Sequence, residues 1–163
     1  VLEEGNMAAV MGLLGASLTA LISMLNSVAG ANPKQDKPEF EVMKQHAAFG
    51  HEILKGSLSK VLQAGAEIAR DHHEKFDGSG YPNGLKGKEI PLYGRIVAVA
   101  DVFDALTSER PYKKAWPLED AVKLLEEGRG SHFDPMCVEA FLAGWDEVIE
   151  IRQRFKDEIA PQI

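Results

Sequence analysis

Apolar residues return at the spacing of a helix in one segment after another, and this constrains the fold more than any other property of the chain. Val10, Leu13, Leu14, Leu18, Leu21, Ile22 and Leu25 make the first series, inside a stretch from Met7 to Ala31 that carries no charged residue. Phe40, Met43, Ala47, Gly50 and Leu54 make a second, with Pro38 in its first turn; Val61, Leu62, Gly65, Ile68 and Ala69 make a third, from about Leu58 to His73. Positions three and four apart share a helix face, so each series predicts one amphipathic or buried helix. The run from Ile96 to Leu106 has the β-branched content of a strand, but its length favours a buried helix. Pro117 to Glu127 reads as another, closed by Gly128 and Gly130. A last helix has Asp134 as N-cap and Pro135 in its first position, with Val138, Phe141, Leu142, Trp145, Val148 and Ile149 along one face. Hairpin dipeptides are limited to Asn83-Gly84, and no pair of alternating strands flanks it. The expected fold is all-α, a single helical bundle interrupted by one glycine-rich loop at Gly78, Gly80, Gly84 and Gly87.

With 163 residues, 45% apolar and 26% charged, the chain can build one soluble domain with its own core. Eighteen basic against 25 acidic side chains give a net charge of −7. That balance argues against coating DNA or RNA through a broad basic face, so an anionic ligand would need local cations or a metal. Single Cys137 cannot form an internal disulfide, and a cytoplasmic setting is expected. The chain opens on Val1 rather than Met and without the basic start of a secretory signal, which suggests a piece of a longer protein. Met7 to Ala31 is long enough to span a membrane, but Ser17, Thr19, Ser23, Asn26 and Ser27 make a buried core helix the preferred reading.

Chemistry concentrates in the histidines. Neutral imidazole binds borderline divalent metals near physiological pH, and a carboxylate can bridge two ions. His46 lies on an apolar helix face, His72 and His73 are adjacent beside the glycine loop, and Asp101 interrupts an apolar helix. Burying His46 or Asp101 without a partner is costly. Taken singly, His46 reads equally as a hydrogen-bonded core histidine and Asp101 as a helix tether; taken together with the His pair they suggest a metal site. Adjacent helical residues point about 100° apart, so His72 and His73 are expected to line neighbouring parts of a binuclear pocket rather than share one ion. His51 reads as a solvated side chain, and His132 as a turn residue before a helix.

Several stretches, in order, resemble the HD-GYP branch of the HD phosphohydrolase superfamily: Met43 to His46; His72-His73-Glu74 with Asp77 to Pro82; Ala100 to Ser108; Arg110 to Lys113; and His132 to Pro135. The resemblance is strongest over residues 38–142 and extends as one HD-GYP-type domain over 1–163, with a C-terminal helix at 143–163. It implies an all-helical fold that hydrolyses cyclic di-GMP with iron or manganese ions. Carried over by motif, it implies His46, His72, His73 and Asp101 as metal ligands, and Arg110 and Lys113 as the grip on the dinucleotide's phosphates. Gly80, Tyr81 and Pro82 correspond to the loop associated in the family with diguanylate-cyclase-type partner domains; a wall of the substrate site is the equal alternative for that loop.

The sequence departs from the family at one place. The name-giving His-Asp pair would fall, by family spacing, on Ser17 and Leu18, inside the atypical apolar segment 1–32. Neither residue can bridge cations, so an impaired phosphodiesterase is expected, or alternatively an inactive cyclic-dinucleotide sensor or protein-interaction module in signalling.

Overall fold

The structure is a computed structural model that describes residues 37–109 and 113–159, with side chains from Phe40 to Arg154 in those ranges. The first apolar series, Met7 to Ala31, and with it Ser17 and Leu18, lies outside the described residues, as does Arg110.

Six α-helices account for the described residues: α1 (Lys37–Leu54), α2 (Lys60–Asp71), α3 (Leu92–Thr107), α4 (Leu118–Glu127), α5 (Pro135–Ala143) and α6 (Trp145–Ile159). A single 3₁₀ turn, Gly87–Glu89, precedes α3. Among the described residues Arg129 and Phe133 form an isolated β-bridge. The all-α expectation therefore holds, and the β-branched run Ile96 to Leu106 is helical, lying wholly within α3. None of the described helices is long and apolar enough to cross a membrane.

Neighbours in sequence are neighbours in space: α1 packs on α2, α2 on α3, and α3 on both α4 and α5. The core gathers Ile96, Val99, Phe103 and Leu106 of α3, Ala121 and Leu125 of α4, Phe133, and Cys137, Val138 and Phe141 of α5. Phe103 meets Phe141 and Trp145 edge to face at centroid distances of 5.1 and 5.6 Å, an arrangement that aligns ring edges with ring faces.

The helix starts follow the sequence signals. Asp134 accepts a hydrogen bond from the Met136 N–H at 2.9 Å, with Pro135 behind it, which satisfies one of the free donors of the first turn. Glu119 and Asp120 put negative charge in the first turn of α4, where the helix dipole favours it. One boundary differs. The single helix expected after Asp134 is two, because Gly144 ends α5 and α6 starts at Trp145. Phe141 and Trp145 still reach the same core, which is why their spacing read as one helix.

Candidate metal centre

Three imidazoles converge where α1, the end of α2 and the glycine loop meet. The Nε2 atom of His46 lies 3.4 Å from that of His72 and 3.1 Å from that of His73. One ligand nitrogen from each of the three falls within 4.8 Å of the others. Nitrogens bound to one tetrahedral metal at about 2.1 Å are separated by roughly 3.4 Å, a spacing close to the two distances from His46.

His72 and His73, expected to line neighbouring parts of a binuclear pocket, each bring a ring nitrogen close to that of His46. The 100° rule applies inside a helix, but His72 is the residue that caps α2 and His73 lies beyond it. Their rings come to a centroid distance of 4.0 Å, and both lie against His46.

Hydrogen bonds fix which nitrogens are free. His46 Nδ1 is 2.5 Å from the Met43 carbonyl, and His72 Nδ1 is 3.0 Å from the carbonyls of both Ile68 and Ala69. A carbonyl can only accept, so both Nδ1 atoms carry the hydrogen and both Nε2 atoms present a lone pair. Two lone pairs facing each other at 3.4 Å repel unless a cation lies between them. A histidine bonded to a backbone carbonyl through its outer nitrogen is also how metal ligands are oriented. Burial pushes the His72 imidazolium down to about 4 and that of His73 to about 2, with the neighbouring histidines adding to the effect. At neutral pH both are neutral bases, the form a metal requires. The residues present thus fit a divalent cation.

Asp101 stands on α3 outside the three-histidine group, although its charge reaches Tyr81: burial first, then Asp101, raises that phenol well above the usual tyrosine range. Lys113 donates to the Ala105 carbonyl at 3.3 Å and lies over the Trp116 ring, about one turn along α3 from Asp101. His51 is not a solvated side chain: its Nδ1 lies 3.0 Å from the Ala66 carbonyl, tying α1 to α2. His132 is a turn residue as expected; its carbonyl accepts the Phe76 N–H at 3.1 Å, joining the α4–α5 turn to the glycine loop.

The glycine loop needs its glycines at identifiable points. Gly78, Gly84 and Gly87 have φ of 87°, 67° and 58°, values that cost other residues energy. Gly80 is required for a different reason: a Cβ there would lie 2.3 Å from the Lys75 nitrogen. Close approach brings Tyr81 onto His73, with ring centroids at 4.7 Å and planes 29° apart.

An all-helical domain that gathers three imidazoles at ligand spacing has the makings of a metal site. Comparison with known proteins narrows this. A family model described as an HD domain matches residues 22–137, and the chain belongs to the HD domain family, in its HD-GYP branch. It is 55% identical over 120 residues to a protein of Thermotoga maritima named cyclic di-GMP phosphodiesterase, covering 74% of this chain and 33% of that one. To the cyclic di-GMP phosphodiesterase response regulator RpfG of Xanthomonas campestris it is 50% identical over 134 residues, covering 82% and 35%. A 3'3'-cGAMP-specific phosphodiesterase of Vibrio cholerae is 45% identical over 136 residues, covering 83% and 26%. The chain spans about a third or less of the length of these relatives.

Proposed function

We propose that this chain is the metal-holding part of a cyclic-dinucleotide phosphodiesterase, with His46, His72 and His73 as ligands to a divalent cation, iron or manganese. The observation that carries the reading is the pair of carbonyl-anchored histidines whose bare Nε2 atoms face each other at 3.4 Å. Bound there, a divalent ion would activate water and offset charge developing on the phosphate. The chain's own residues would hold it, with burial keeping His72 and His73 neutral, and exclude water from one side: His72 is only 4% exposed.

The substrate proposed is cyclic di-GMP or a related cyclic dinucleotide, in keeping with what the named relatives act on. Arg110 and Lys113 would grip its phosphates, since a guanidinium matches two phosphate oxygens and an ammonium adds point charge. Asp101, one helical turn from the Ala105 carbonyl that anchors Lys113, would complete the ligand set. Tyr81, inward against His73, favours the substrate-wall reading of the Gly80-Tyr81-Pro82 loop over a docking site for a diguanylate-cyclase-type domain.

Ser17 and Leu18, where the family's His-Asp pair is expected, favour slow turnover and keep a second reading open, an inactive dinucleotide sensor or interaction module. Elemental analysis of protein purified without chelators, followed by a cyclic di-GMP hydrolysis assay with added manganese or ferrous iron, tests both. Bound metal with slow release of linear dinucleotide is expected. Metal-free protein whose His46→Ala and His72→Ala variants bind manganese no worse than the parent would overturn the metal site. Calorimetric titration with cyclic di-GMP that gives saturable heat without product would select the sensor.

A further inference from the structure

Two of the three histidines are oriented by backbone carbonyls, and the third is not. Among the described residues His73 makes no ring bond to a carbonyl; its ring contacts are His46, His72 and the stacked Tyr81. What holds that ring can be traced through Tyr81 to Glu74.

Glu74 is 2% exposed, a carboxylate in the interior. Its two oxygens accept from the loop: Oε1 from the Asn83 N–H at 2.7 Å and Oε2 from the Leu85 N–H at 3.0 Å. A buried carboxylate without such donors would be costly, so the loop and Glu74 stabilise each other. Those bonds close the loop back over residues 74 and 75, where only Gly80 can fit. Tyr81, next in line, donates its N–H to the His73 carbonyl at 3.2 Å and lays its ring on the His73 ring. On its other flank it meets Phe40 edge-on at 6.3 Å, and the Lys44 ammonium stands 4.8 Å from the Phe40 centroid and 5.5 Å from that of Tyr81.

We propose that Glu74 and Tyr81 are positioning residues for metal binding: Glu74 seats the glycine loop, and the Tyr81 ring sets the His73 imidazole toward His46 and His72. Glu74 is neither ligand nor base here, because both its oxygens face the loop and it is outside the three-histidine group. The π face of Tyr81 is what matters, and its hydroxyl is dispensable. This inference rests on the metal reading above, and its test includes a measurement that does not.

Manganese is titrated into the whole chain against a chromogenic chelator, for the parent and for Tyr81→Phe, Tyr81→Leu and Glu74→Gln. Tyr81→Phe, which keeps the ring, is expected within about twofold of the parent, whereas Tyr81→Leu and Glu74→Gln weaken binding by about 10- to 100-fold, the range for partners that orient ligands. In parallel, the imidazole proton resonances of His73 are followed by NMR in chelator-treated protein. The stacked ring shifts them upfield; the shift is retained in Tyr81→Phe and lost in Tyr81→Leu. Glu74→Gln keeps one acceptor and guards against a variant that fails to fold. Parent-like manganese affinity in Tyr81→Leu overturns the proposal, as does an equal loss in Tyr81→Phe, or a rise in substrate KM alone. Should the parent take up no manganese, the functional reading falls, and the metal-free resonances still decide whether Tyr81 holds the His73 ring.

Discussion

Between α3, α4, α5 and α6 the packing is made by large side chains; between α1 and α2 it is made by small ones. In the first region Phe103, Phe133, Phe141 and Leu125 interlock, each no more than 5% exposed. In the second, Gly50 faces Ala69 so closely that a Cβ would stand 3.0 Å from the alanine's own. Ala47 and Ala66 are buried there while Val42, Phe49, Ile53 and Val61 remain at least 61% exposed. Helices separated by ordinary side chains run about 8–10 Å apart. The glycine and alanine contact lets the two helices approach closely, and these helices carry His46 and lead into His72. One region is built for stability and the other for spacing.

The sharpest way to break this contrast is to empty the first region. Phe141→Ala removes a ring that is 4% exposed and packed on Phe103 and Trp145, and should cost about 3–5 kcal/mol in urea denaturation. Manganese bound per folded molecule should not change; a fall would mean that the site leans on the core. Arg95→Met comes next. Arg95 pairs with the buried Asp134, which also caps α5, and donates to the Ile90 carbonyl. Leaving Asp134 buried and unpaired should cost about 3 kcal/mol, the low end for such pairs, read as a lower midpoint of thermal unfolding. A change below about 1 kcal/mol would show that Asp134 is satisfied by the Met136 N–H alone.

The same contrast explains what could be read from the sequence. The packed region was legible: Val99, Phe103, Val138 and Phe141 repeat at helical spacing because they fill one interior, and Asp134-Pro135 marks a helix start by local chemistry. The break at Gly144 was not, since residues on both sides of it reach the same core. At the site, the residue types of His46, His72 and His73 were legible, but their convergence was not, because it depends on how the helix carrying His46 packs against the end of α2. Asp101 was named with them by motif, from α3. Glu74 gave no signal of its own, because a glutamate beside a loop reads as solvated until its donors, Asn83 and Leu85, are seen nine and eleven residues away. Val61 and Leu62 fit the helical period yet are 70% and 44% exposed: periodicity reports a shared face, not what covers it.

Gly50→Leu sharpens the comparison from the other side. Overpacking a close helix contact costs typically 1–3 kcal/mol, here about 2 kcal/mol, less than the loss at Phe141. Its effect on manganese affinity should nevertheless be the greater of the two, because α1 carries His46 and α2 leads into His72. Parent-like affinity in that variant would mean that the loop, not the helix spacing, sets the histidine distances.

The smallest effect is expected at Leu58, between α1 and α2, which is 97% exposed. Leu58→Ser should change stability by less than about 0.5 kcal/mol, as for surface positions without special contacts, and leave manganese binding as it was. The position discriminates because it is as apolar as any core residue and adjoins the region that holds the site. If apolar content near α1 and α2 were what kept the helices together, losing Leu58 would register in both measurements. A null result in both would assign their union to the backbone-close contacts at Gly50, Ala47 and Ala66 and to the bond from His51 to the Ala66 carbonyl.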